Sequence, residues 1–169
     1  IIFVSFASLI SYAQSPAKLG KVSSAAITEI SGITPYTFEH GYFWVHNDSG
    51  DGANIYLIDS TASLKVKVEI DGVNAIDCED IMRFTFKGKN YLMLGDIGNN
   101  LRKREVLSLY IIEEPTVKFD EKSSIQVSLI KEIKFKYADK KRDAEALFVD
   151  RIDNRGYILS KRDLESTVF

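Results

Sequence analysis

The groups in this chain that could do chemistry are mostly carboxylates at alternating positions of extended segments. Asp77, Glu79 and Asp80 crowd into I-D-C-E-D-I, and Asp143 and Glu145 recur in R-D-A-E-A-L. Carboxylates brought together from separate strands repel one another unless a cation or a basic side chain sits among them. Hard oxygen donors without thiolate partners suit Ca²⁺ or Mg²⁺ better than zinc. These five residues are therefore the candidate metal ligands, for Ca²⁺ or Mg²⁺. Cys78 is the only cysteine. It cannot close a disulfide within the chain or build a multi-cysteine zinc site, and it reads as a small buried hydrophobe.

A second group lies where strands end, in His46-Asn47-Asp48-Ser49-Gly50 and in Gly95-Asp96-Ile97-Gly98-Asn99-Asn100. Asn, Asp and Gly are what tight turns require, since Asx side chains cap backbone groups and Gly accepts positive φ. His46 and Asp96 are the candidate catalytic acid/base groups within these turns. Lys161 and Arg162 stand where the third segment should end. They are candidate ligand-binding cations, able to hold a phosphate or carboxylate or to neutralise the acids directly. Arg102-Lys103-Arg104 reads as a solvated loop tip. The chain has no G-x-S-x-G elbow, P-loop, H-E-x-x-H or dinucleotide fingerprint, which disfavours the common hydrolase, kinase and Rossmann readings.

The elements that must position these groups read as short strands between turn signals. They are expected over 26–33, 41–46, 54–59 and 64–70, then 78–86, 90–94, 106–112 and a long 125–135, and finally 144–149, 156–160 and the start of another at 167–169. A shift of 48 places Ser31-Gly32-Ile33 on Glu79-Asp80-Ile81 and Asn47-Asp48 on Gly95-Asp96. A shift of 66 carries Glu79-Asp80-Ile81 onto Glu145-Ala146-Leu147. About four strands per repeat suggests an all-β fold, an incomplete β-propeller of about two and a half four-stranded antiparallel blades spanning 26–72, 73–138 and 139–169. A β-sandwich is the alternative. The 143–151 segment also fits helical spacing, through Ala144, Leu147, Phe148 and Arg151, but the repeat register favours a strand.

With 22 Lys and Arg against 24 Asp and Glu, the net charge of -2 gives no summed positive field for nucleic acid. Residues 1–13 are apolar and end in Ser11-Tyr12-Ala13, a small-x-small cleavage pattern. They are expected to be the end of a signal peptide, with a linker over 14–25 and a propeller fragment over 26–169. The mature chain is then secreted or periplasmic, with no stable membrane insertion.

Taken together, Ser31-Gly32-Ile33, Trp44 to Gly50, Asp77 to Ile81, Gly95 to Asn100 and Arg142 to Leu147 resemble motifs of uncharacterised secreted bacterial β-propeller proteins. That group lies near the phytase-like and SdiA-regulated propellers, and the resemblance covers roughly residues 26–163. An aromatic residue commonly stands in the group where this chain has Cys78. The phytase-like relatives imply calcium and phosphoester chemistry. Two functional expectations follow. One is an exported binding module whose acidic channel end holds a divalent cation. The other is a metal-dependent hydrolase of phosphoesters or lactones, with Glu79, Asp80 and Glu145 on the metal, Asp96 or His46 as base, and Lys161 and Arg162 on the anionic group.

Overall fold

Alternating apolar and polar residues on β-branched and aromatic-rich segments produce strands throughout, and the chain is all-β. The computed structural model describes residues 18–119, 124–163 and 165–169. The expected leader over 1–13 and the first part of the linker lie outside the described residues. Among the described residues there are eleven strands and no helix long and apolar enough to cross a membrane.

The first sheet contains β1 (Ile30–Pro35), β2 (Tyr42–Asn47), β3 (Asn54–Asp59) and β4 (Leu64–Asp71), joined in sequence as antiparallel neighbours. The second contains β5 (Cys78–Phe86), β6 (Lys89–Asp96) and β7 (Leu107–Glu113), followed by a longer connection. Next come β8 (Ser124–Ser128) and β9 (Lys131–Phe135), then the hairpin of β10 (Asp143–Val149) and β11 (Gly156–Lys161). The 143–151 segment is therefore mainly strand, and its helical spacing is not used.

The long strand expected over 125–135 does not form as one element. It divides at Leu129 and Ile130, and the two halves go to different sheets. β8 runs parallel to β4 and completes a five-stranded first sheet, whereas β9 pairs antiparallel with β7 and closes a four-stranded second sheet. The span expected to be one unit, 73–138, thus lends a strand to the unit before it. The physical reason lies in the side chains: Ile125, Val127 and Leu129 pack against the core beneath the first sheet, while Ile133 and Phe135 pack on the far side of the second.

Period-two alternation makes the second sheet the middle layer of a stack. On β6, Leu92 and Leu94 face the first sheet, where they meet Trp44, Ile55, Leu57, Val66 and Val68. Met93 faces the opposite way, towards Leu147, Val149 and Ile158 of the third sheet. Gly95 continues that second face, and a Cβ there would collide with the Leu147 side chain, so its lack of one lets the two sheets close. At the edge of the stack, β1 lies against β5 and β5 against β10. Side chains stitch these first strands together: Ser31 Oγ donates to the Glu79 carbonyl at 3.0 Å, and Leu147 N–H donates to Asp80 Oδ2 at 2.9 Å. The fold thereby brings the start of β5 and the start of β10 side by side.

Candidate functional site

Each of the three first strands carries a bulge near its beginning. The pairing register slips between Ile30 and Gly32 on β1, between Cys78 and Asp80 on β5, and between Ala144 and Ala146 on β10. The residues in the slips are Ser31, Glu79 and Glu145. A bulge inserts an unpaired residue and re-aims its side chain, and here it gathers the two glutamates. Glu79 lies at the centre. Its carboxylate forms one close group with Asp48 and Asp77 and another with Asp143 and Glu145, the donor oxygens within each group lying within 4.8 Å of one another.

The loop after β6 makes room for this crowding. Gly98 N–H donates to the Asp77 carbonyl at 3.1 Å, so the two segments run close together. A Cβ on Gly98 would strike the carboxylates of both Asp77 and Glu79.

The acids differ in how they are neutralised. Asp143 is fully buried, accepting Asn99 N–H on Oδ1 at 2.8 Å and the Arg162 guanidinium on Oδ2 at 2.7 Å. Glu145 pairs with Lys161 at 2.5 Å. Glu79 is 4% exposed, and among the described residues no hydrogen bond or ion pair reaches its carboxylate. Burial, followed by the charges of Glu145, Asp48, Asp77 and Asp143, pushes its carboxyl pKa up to about 8. Asp77 is raised by burial and by Asp48, Asp143 and Asp96, with Arg104 opposing.

Of the expected ligands, Asp77, Glu79, Asp143 and Glu145 therefore come together, and Asp80 does not join them. Asp80 turns the other way, with Oδ1 accepting Ile81 N–H at 2.8 Å and Oδ2 accepting Leu147 N–H. It serves as a bolt between sheets. Asp48 joins the cluster from the turn after β2, and sequence reasoning did not count it among the ligands. Its signal was the acidic turn N-D-S-G-D-G, which read mainly as turn chemistry, with Asp48 weighed only as the partner of His46 in an acid/base or ligand pair.

The two candidate bases are both enclosed. Asp96 accepts Asp77 N–H at 2.9 Å and pairs with Arg104 at 2.7 Å, which fixes the chain entering β5. Asn47 makes the corresponding bond one sheet earlier, accepting Thr28 N–H at 2.9 Å just before β1. Strand pairing matches Asn47 with Asp96 rather than with Gly95, so the single shift of 48 slips by one residue on the second strands. His46 is fully buried. Its Nδ1 lies 2.7 Å from the Asn47 carbonyl, its Nε2 has no partner among the described residues, and burial lowers its pKa. Lys161 and Arg162 reach the cluster, but as partners of Glu145 and Asp143. Cys78 is buried in the core and its thiol pKa is pushed far up by burial, so it is not a nucleophile.

In comparisons with known proteins, no family model, curated protein or solved structure matches this chain.

Proposed function

We propose that this chain is part of an exported β-propeller whose acidic channel end binds a hard divalent cation, Ca²⁺ on the resemblance to the phytase-like propellers, and that it acts as a binding module. The observation that carries the cation reading is Glu79: a residue 4% exposed whose carboxylate has no hydrogen-bond or ion-pair partner among the described residues, keeps only slight solvent contact and faces four other carboxylates. Burying an unpaired charge is costly, and a cation bridging Glu79 to Asp48 and Asp77 removes that cost. Lys161 and Arg162 neutralise the far side, which leaves the Asp48, Asp77 and Glu79 side as the more negative one.

The propeller reading is supported by the stacking of three sheets, by first strands lying side by side, and by bulges at Ser31, Glu79 and Glu145, positions related by the sequence shifts of 48 and 66. Export rests on the apolar segment over 1–13. The test is a thermal melt of chelator-treated protein with added CaCl₂, MgCl₂ or MnCl₂. Calcium is expected to raise Tm saturably in the wild type, with no such response in Glu79→Gln. A wild-type melt unmoved by all three cations would overturn the reading.

A further inference from the structure

At the opposite ends of the same strands, a cavity of about 210 Å³ opens between the second and third sheets. Its polar walls are Thr37, Arg83, Thr85, Asn90, Arg151 and Asn154. Glu79 and Arg83 both lie on β5, and at about 3.3 Å per residue the cavity begins roughly 13 Å from the acidic cluster. No carboxylate lines it.

The donors in this cavity are in surplus. Among the described residues neither Arg83 nor Arg151 has a carboxylate partner. The acids around them are engaged elsewhere: Glu113 with Lys89, Asp153 with Arg155, and Asp150 with Ile152 N–H. Glu114, bonded to the Thr37 backbone, accepts Trp44 Nε1–H and Thr37 N–H on Oε1 while its buried Oε2 has no hydrogen-bond partner among the described residues, and it does not line the cavity. Arg83 uses Nη1 to donate to Thr37 Oγ1 at 2.8 Å, which leaves the hydroxyl proton of Thr37 and the rest of the guanidinium fork for another acceptor. Thr85 Oγ1 donates to Asn90 Oδ1 at 2.9 Å, holding that amide with its NH₂ as the unused end. Two cations, a hydroxyl and an amide converge on a space with no acceptor of matching charge. Its volume is below the roughly 300–1,000 Å³ typical of drug-sized ligand sites.

We propose that this cavity binds a phosphate group, either free phosphate or the end of a small phosphorylated molecule. Arginine forks match tetrahedral oxyanions in pairs of hydrogen bonds, and donors from both sheets suit a ligand with acceptors on all sides. The site is independent of the cation centre and occupies the other end of the strands.

The test is isothermal titration of the full chain in chelator, which keeps calcium out of both sites, using inorganic phosphate, glycerol phosphate and acetate against NaCl of equal ionic strength. Saturable phosphate binding is expected, weakened about tenfold or more in Arg151→Gln and in Arg83→Gln, and unchanged in Lys134→Gln, an exposed lysine on β9 that lines neither site. Arg151 is exposed and makes no bond needed for folding, so Arg151→Gln keeps the test valid if Arg83→Gln misfolds. Tighter binding of glycerol phosphate identifies an ester as the occupant, and equal or weaker binding identifies the free ion. Heats no larger than with NaCl, acetate binding as tightly as phosphate, or undiminished affinity in Arg151→Gln would each overturn the proposal.

Discussion

Leu147 N–H and the Asp80 carboxylate meet at 2.9 Å between the first strands of two different sheets, and the same carboxylate accepts Ile81 N–H on its own strand. One side chain thus satisfies two backbone donors that strand pairing leaves open. Asp80→Ala should destabilise the fold by about 1.5–3 kcal/mol, the range for hydrogen bonds to charged groups. Because Asp80 points away from Glu79, the variant should keep its calcium response. Urea unfolding with and without calcium checks both parts, and loss of the response alone would make Asp80 a ligand after all.

The raised pKa of Glu79 sets a pH dependence whose sign is definite. The unfolded chain releases this proton near 4.5, whereas the folded chain holds it to about 8. The folded state carries more protons in between, so the stabilisation is complete below 4.5 and is lost as pH rises through about 8. Buried His46 acts in the opposite direction, but only as pH falls below its ordinary 6.5. In chelator, stability should therefore drop by about 1 kcal/mol between pH 7 and pH 8.5. Urea unfolding at the two pH values should show this drop in the wild type and little of it in Glu79→Gln.

Gly98 gives a steric route to the same centre. Gly98→Ala places a methyl group against the Asp77 and Glu79 carboxylates, which must spread apart. Overpacking of this kind costs about 1–3 kcal/mol. A lower Tm together with a calcium affinity reduced at least tenfold is expected, whereas Gly156→Ala, where the added Cβ meets open space, should leave the affinity unchanged.

Val127 tests the strand that crosses between sheets. It sits on β8, opposite Ile70 of β4, and packs against the core below the first sheet. Truncation to Ala should cost about 1–2 kcal/mol, less than at a fully buried site. Hydrogen exchange should rise along β8 and β4 while β10 and β11 stay protected.

Most strands were legible because alternation and turn residues act locally: 54–59 and 78–86 form where they were expected. The fate of 124–135 was not, because apolar alternation states which face is buried and says nothing about which sheet supplies the partner. The acidic site was partly legible through the paired D-x-E segments. Asp80 was misread since the bulge at Glu79, one residue before it, turns the Glu79 side chain towards Asp77 and away from Asp80. Asp96 looked available because nothing in its own loop reveals that Arg104 folds back onto it. The phosphate cavity had no sequence signal, as its walls come from three separate stretches of chain.

The parallel seating of β8 beside β4 also constrains how the chain can be made. A ribosome delivers residues from the N-terminus, so β4 is synthesised and its outer edge stays uncovered while the whole of β5, β6 and β7 follows. An open strand edge invites pairing with another nascent chain, and long-range parallel contacts are slow to form. Only the arrival of residues 124–128 gives the outer edge of β4 its partner, so the first sheet cannot be completed before more than fifty further residues have been made.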